Sequence, residues 1–271
     1  MQSGEPLDPL ANEFPAVTSQ PKIERPRLSI AHLLLWMAGT AVALTYFRQF
    51  FWNGDSGDAA RNQLQLAQRV FACLQAPFYG AAISSVPLAV WQWCRGNRSF
   101  PTQPGHWLLL LQGVSIVAGI LAILIIVNPT ELITSSYEEA VRHVSQREFW
   151  CLLPTLTGVV LALRQCSEKR WRVMFWLMLM GYASAILFFG AAGELFKAAE
   201  REGGIACYNI ATSLLWFFQT LATFVLVFCV LADRAERLPR DFLHTTGVVV
   251  RFALVFCGWG GPLIFHFFAR L

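Results

Sequence analysis

Charged residues are scarce in this chain. Only 14% of its 271 residues are Asp, Glu, Lys or Arg, whereas a soluble domain usually carries about 25%. The mean hydropathy is +0.47, and 55% of the residues are hydrophobic. Because a charge on a lipid-facing helix costs about 2.5–3.5 kcal/mol on insertion scales, the shortage indicates that much of the chain faces lipid. The net charge of +4 is too small to indicate a nucleic-acid partner.

Motifs for cofactors, metals and nucleotides are missing as well. The sequence has no Walker A loop, no dinucleotide fingerprint and no G-x-S-x-G elbow. No two of its five histidines lie three or four residues apart. The seven cysteines include no C-x-x-C pair, and their odd number excludes a complete disulfide framework. We therefore predict no cofactor and no metal site, and a non-enzymatic protein is favoured.

Long hydrophobic runs are what the chain has instead. A spanning helix needs about 20 mostly apolar residues, and seven runs come near this length. They predict an all-α fold, a polytopic transmembrane helix bundle of about seven spans. The runs are Ile30–Phe51, Phe71–Trp93, Trp107–Val127, Phe149–Leu163, Trp171–Gly193, Tyr208–Ala232 and Val248–Phe268. Tryptophans at run edges are expected between hydrocarbon and water; they are Trp52, Trp91, Trp93, Trp107, Trp150 and Trp171.

The polar, proline-rich residues 1–28 cannot bury enough apolar surface to fold. They predict a disordered cytoplasmic tail ahead of a transmembrane helical domain over 29–271. Two polar segments outside the runs are expected to be helical. Ser135–Glu148 has the period of a short amphipathic helix lying on the outer surface, and Asp58 fits the cap of a helix that leads into the second span.

The orientation follows from the basic residues. With the N-terminus in the cytoplasm, thirteen Lys and Arg lie on the inner side and eight on the outer side, as the positive-inside rule expects. The run Phe149–Leu163 is short, about 23 Å long. If it did not span, the basic cluster from Arg164 to Arg172 would lie outside. Seven spans, N-terminus in and C-terminus out, is the simplest interpretation.

Two family resemblances arise. The start of the first span, Arg25-Pro-Arg-Leu-Ser-Ile followed by Leu33-Leu-Leu, resembles the opening of many uncharacterised bacterial multi-pass membrane proteins. This resemblance implies a bacterial inner (plasma) membrane and no particular activity. Glu138-Glu139-Ala-Val-Arg142 resembles part of the E-E-x-x-x-R motif of membrane-embedded CAAX-type proteases. The Arg is one residue early, His143 stands in its place, and no F-x-x-x-H element follows, so we interpret the match as accidental.

Few polar residues lie within the runs. Gly181-Tyr-Ala-Ser184 and Gly190–Gly193 are typical of close helix contacts, and Arg251 is near enough to the inner boundary to extend towards water. A kink in the last run is predicted at Pro262, leaving the Gly258 carbonyl to be satisfied by a neighbour. Gln219 and Thr220 lie at a similar depth. The predicted polar intramembrane cluster is Gln219, Thr220, Gly258, Gly260, Gly261 and Pro262.

Three functions remain open from the sequence. The leading one is a structural or accessory membrane protein, with the lipid bilayer and an unidentified membrane protein as partners. The second is a transporter or channel-like protein for a small neutral solute, which a polar cavity reaching Gln219 would favour. The third is an intramembrane enzyme, which His and Glu side chains converging at one depth would favour.

Overall fold

Helices account for nearly all of the described chain. The computed structural model describes residues 30–51, 59–96, 100–126 and 137–268. The surroundings of the side chains at 49–51, 59–65, 67, 126, 138 and 258–268 lie outside that description, as do the predicted tail 1–28 and Asp58. The helices are α1 (Ile30–Phe51), α2 (Ala59–Cys94), α3 (Pro104–Ile126), α4 (Tyr137–Gln165), α5 (Lys169–Lys197), α6 (Arg201–Ala235) and α7 (Phe242–Phe268). Since the described ranges hold no strand, the predicted all-α class is confirmed.

Five of these helices are long and apolar enough to cross a membrane: α1, α2, α3, α5 and α6. Their apolar segments contain 19 to 35 residues, about 29–53 Å at 1.5 Å per residue, against a hydrocarbon core of about 30 Å. The protein is therefore a multi-pass helical membrane bundle. Helix α4 does not meet the same criteria, and the apolar stretch of α7 extends over Phe242–Cys257 within the described residues.

The helices pack around α3 and α5. Helix α3 contacts α2, α4 and α7, helix α5 packs along α6 and α4, and α1 packs on α2. Helices α6 and α7 touch only sparsely. The largest fully buried side chains belong to α3 and α5 and include Trp171, Phe175 and Leu108. Two of the run-edge tryptophans, Trp107 and Trp171, are buried in the bundle and do not face lipid; the depth of the run-edge tryptophans at the lipid–water boundary stays a prediction.

Glycines allow the closest helix crossings. A Cβ on Gly247 of α7 would lie 1.9 Å from the Gly105 carbonyl oxygen of α3, and one on Gly105 would lie 2.2 Å from the His244 carbonyl oxygen. Both distances are far inside van der Waals contact, so only glycine lets these two backbones meet. A Cβ on Gly181 of α5 would meet the Phe218 Cβ at 2.8 Å, which supports the predicted small-residue contact there.

Helix α4 corrects one expectation. The segment Ser135–Glu148 was predicted to form a separate helix on the membrane surface, but from Tyr137 it is continuous with the fourth hydrophobic run. The predicted helical period is confirmed. The predicted packing of this helix on the membrane surface was wrong, because Val141 and Ser145 are buried against other parts of the protein. Buried residues lie at four-residue spacing at Val141 and Ser145, and again at three- and four-residue spacing from Leu152 through Thr155 and Val159 to Ala162.

Candidate functional site

Charged residues gather where five helix ends meet. These are the starts of α3, α5 and α7 and the ends of α4 and α6, brought together by the short connections after Gln165 and after Ala235. We call this cluster the charged end. Its members are His106, Glu168, Arg170, Asp233, Glu236, Arg240, Asp241 and His244.

Asp233 is the buried centre of the charged end. Its side chain is 7% exposed. The Arg170 Nη2 lies 2.9 Å from one carboxylate oxygen, the Arg240 Nε donates to the other at 2.9 Å, and the Trp171 indole N–H points at the first oxygen from 3.5 Å. Two guanidinium groups therefore hold a single carboxylate, which is the kind of pairing that a buried charge requires.

Both arginines continue the network outward. The Arg240 Nη2 donates to Glu168 Oε2 at 2.7 Å, which connects the α4–α5 loop to the segment before α7. Arg170 donates through both Nη atoms to Glu236, at 2.7 and 2.9 Å. This bidentate hydrogen bond lowers the pKa of the Glu236 carboxyl below its usual value. The end of α6 is therefore fixed to the start of α5.

His106 and Asp241 join α3 to α7. The His106 Nδ1 accepts the backbone N–H groups of Thr102 and Gln103, at 3.3 and 3.4 Å. The ring proton must therefore be on Nε2, which donates to the Asp241 carboxylate at 2.8 Å. Asp241 also caps α7, since its Oδ1 accepts the His244 backbone N–H at 2.7 Å. Burial raises the pKa of Asp241, but the hydrogen bonds from His106 and from the His244 N–H outweigh it, so the net pKa is lowered.

His244 is held neutral. Its Nδ1 accepts the Gly105 backbone N–H at 3.1 Å, and its Nε2 lies 4.0 Å from Asp233 Oδ2. Burial, reinforced by the positive charge of Arg240, lowers the pKa of His244 to about 4. Because both histidines are buried and both use their ring Nδ1 as an acceptor of backbone N–H groups, neither is poised to act as a catalytic base.

The predicted intramembrane cluster is only partly described. Gln219 is buried at 7% exposure, and its Oε1 accepts a hydrogen bond from Arg251 Nη2. Thr220 donates to the Trp216 carbonyl of its own helix at 2.6 Å. Helix α7 includes Gly258, Gly260, Gly261 and Pro262, but their surroundings lie outside the described residues. The proposed bond from Gln219 or Thr220 to the Gly258 carbonyl therefore stays a prediction.

Arg251 differs from its expected role. It was expected to extend towards water at the inner boundary, but it is 5% exposed and reaches Gln219 inside the bundle. The Tyr182 hydroxyl lies within hydrogen-bonding reach of the same guanidinium group. Tyr182, Gln219 and Arg251 thus form an interior cluster joining α5, α6 and α7, which we call the Arg251 cluster.

Other candidate chemistry finds no support in the described part of the chain. No group of three or more His, Cys, Asp or Glu side chains there could hold a metal ion. Within the protease-like segment, Glu139 is exposed, His143 is half-buried, and the buried Arg142 Nε has no hydrogen-bond partner among the described residues. Glu138 lies outside the description of side chains.

Comparisons of the chain with known proteins do not assign it to a family. The chain matches no protein-family model, no curated protein and no solved structure. Function must therefore be inferred from the charged end and the Arg251 cluster.

The sequence did not predict that the residues of the charged end, or those of the Arg251 cluster, lie together in the fold. The basic residues at 164–172 and 234–240 indicated only the orientation of the chain, although charges at the ends of runs meet wherever those runs are adjacent. Nothing in the local sequence indicated that Arg251 faces α6, because the direction of its side chain depends on tertiary packing.

Proposed function

We propose that this protein is a structural or accessory, non-enzymatic component of a cell inner membrane, with seven spans, the N-terminus in the cytoplasm and the C-terminus outside. The basic-residue bias supports this orientation. The charged end supports a span at α4, because the end of α4 and the start of α3 approach the same side of the bundle. The residues at the start of the first span support a bacterial origin of that membrane.

The observation that carries the structural role is the internal pairing of the charged end. Asp233 of α6 interacts with Arg170 and Trp171 of α5 and with Arg240 of the connection before α7, three chain segments that a gated pathway would have to separate. An accessory protein instead needs a rigid surface for its partner. The network supplies that rigidity at the proposed cytoplasmic side.

A neutral-solute transporter is the second candidate. A cavity of about 70 Å³ between α1, α2, α3 and α7 is lined by His32, Ser84, Ser85 and Thr246 among apolar residues. This cavity offers little polarity, however, because both serine hydroxyls donate to backbone carbonyls: Ser84 to Leu35 and Gly80, and Ser85 to Ala82 and Leu109.

The test compares Asp233→Asn with Glu236→Gln in protein tagged at its own locus. Removing the buried carboxylate charge should cost on the order of 3 kcal/mol of stability. Because the network keeps the partner's surface rigid, the folded protein that remains should co-extract less of its membrane partner than wild type does. Glu236, at the exposed edge of the network, should tolerate the change in both assays. Extraction of wild-type protein in mild detergent with no stoichiometric partner would refute the accessory role.

A further inference from the structure

Arg251 is a buried cation without a buried anion. It is 5% exposed, and no described carboxylate lies within ion-pair distance of it. Its hydrogen-bonding partners are the side-chain amide of Gln219 and the hydroxyl of Tyr182. Ionisable side chains within membrane bundles are costly and usually face a partner or a functional cavity. The guanidinium charge is therefore uncompensated by the residues that the structure describes.

The side-chain amide nitrogen of Gln219, beside Arg251, is a hydrogen-bond donor without an acceptor among the described residues. The Gln219 Oε1 is occupied by Arg251, so its amide nitrogen points elsewhere, and this buried Nε2 has no hydrogen-bond partner among the described residues. A buried donor left unsatisfied is destabilising. One negatively charged acceptor placed beside Gln219 and Arg251 would satisfy the free amide and compensate the guanidinium charge together.

The Arg251 cluster lies deep in the bundle. Along α6, Gln219 is about 21 Å from Asp233, and along α7, Arg251 is about 10 Å from His244, at 1.5 Å per residue. Since Asp233 and His244 lie side by side at the charged end, the Arg251 guanidinium extends away from that end to reach Gln219. Such a depth places the site beyond the reach of lipid headgroups at the proposed inner boundary.

An apolar groove lies next to the cluster, where α6 and α7 pack sparsely. It encloses about 180 Å³ and is lined by Thr220, Thr223, Phe224, Val227, Phe252, Val255 and Phe256. Both threonine hydroxyls donate to carbonyls of their own helix, so the walls offer no free donor. Thr220 follows Gln219 and Phe252 follows Arg251 in sequence. The groove opens on the lipid-facing side, where Phe224 and Phe256 are exposed.

We propose that the Arg251 cluster and this groove bind a long-chain carboxylate, a fatty acid taken from the bilayer. The carboxylate accepts hydrogen bonds from the Arg251 guanidinium and the Gln219 amide, and the acyl chain lies along the apolar groove. The positive charge of Arg251 favours a negatively charged carboxylate headgroup. The opening of the groove towards lipid favours a ligand whose acyl chain is dissolved in the bilayer. This binding site goes beyond the proposed structural role and does not depend on it.

The test uses spin-labelled stearic acid with the protein in phosphatidylcholine nanodiscs. The fraction of motionally restricted label, relative to spin-labelled phosphatidylcholine, gives the selectivity for the acid. Arg251→Gln should lower this selectivity about tenfold or more, because a charge-assisted hydrogen bond in a buried site is lost. Arg164→Gln, which removes an exposed arginine at the end of α4, should leave it unchanged.

Competition experiments distinguish the ligand class. Unlabelled stearate should displace the label, whereas methyl stearate and butyrate should not. Displacement by the ester would overturn the carboxylate requirement, and displacement by butyrate at equal concentration would indicate a small-anion site instead. Equal selectivity in wild type and Arg251→Gln would also overturn the proposal, and would leave Arg251 as a purely structural contact.

A second variant keeps the test decisive if Arg251→Gln does not fold. Val227→Trp fills the groove from a half-exposed position on α6 and leaves the Arg251 cluster intact. It should reduce restriction of the label while preserving the thermal unfolding temperature. Undiminished restriction in this variant would rule out the groove as the binding site of the acyl chain.

Discussion

At the charged end, the response of the fold to acid depends on His244 and Asp241. The folded pKa of His244 is about 4, below its usual 6.5, so between these values the unfolded chain binds a proton that the folded protein does not. Stability must then fall as the pH falls from about 6.5 to 4. The lowered pKa of Asp241 adds a further loss at still lower pH, when its carboxylate is protonated.

His244→Asn should flatten the first part of this profile. The asparagine oxygen can accept the Gly105 N–H in place of Nδ1 while having no proton to titrate. We expect the wild-type protein to lose on the order of 2–3 kcal/mol between pH 6.5 and 4, and the variant to lose clearly less. Unfolding followed by circular dichroism in detergent at stepped pH measures the difference. His143→Asn, on α4 away from the charged end, should keep the wild-type slope; an equally steep profile in His244→Asn would refute this role.

Individual residues also show what a sequence can and cannot specify. That Gln219 lies inside the bundle was expected from its place in an apolar run, because a polar amide facing lipid is costly. That its partner is Arg251 was not predictable, since a long flexible side chain can extend towards water or inwards from the same backbone position. Packing between α5, α6 and α7 decides between these directions.

Among the elements, the crossing of α3 and α7 depends on Gly105 and Gly247. Gly247→Ala should lower the free energy of unfolding by several kcal/mol, because its Cβ would lie 1.9 Å from a backbone oxygen and the two helices would have to separate. Gly119→Ala is the matched control in α3: a Cβ there meets nothing within 4 Å, so the change should be neutral or stabilising by about 0.5–1 kcal/mol. Thermal unfolding of both variants tests the crossing, and similar melting temperatures would contradict it.

The positions of the helices could be predicted from the sequence better than their exact ends could. All seven runs lie wholly or almost wholly within helices, because a lipid-facing backbone must satisfy its own hydrogen bonds. The extent of α4 was underestimated, since hydropathy falls at Arg147 and Glu148 while the helical period of buried residues continues to Val141. These two charges pair with each other on the helix, so an apolarity criterion alone ends the helix too early.

The topology of the whole molecule is defined by the side of the membrane on which each helix end lies. The charged end unites residues near 103–106, 168 and 236–241, so these three connections lie on one side of the bundle. The basic-residue bias assigns that side to the cytoplasm. Five helices are long and apolar enough to span the membrane. That α4 and α7 also span it is proposed here.

Reporter fusions at residue 168 test that proposal most directly. A fusion of green fluorescent protein or alkaline phosphatase there should report the cytoplasm, as should fusions at 100 and 238, while fusions at 140 and 200 should report the outside. This pattern requires α4 to cross the membrane although its first half is charged. An outside signal at residue 168 would remove the fourth span and contradict the seven-span, N-in and C-out arrangement.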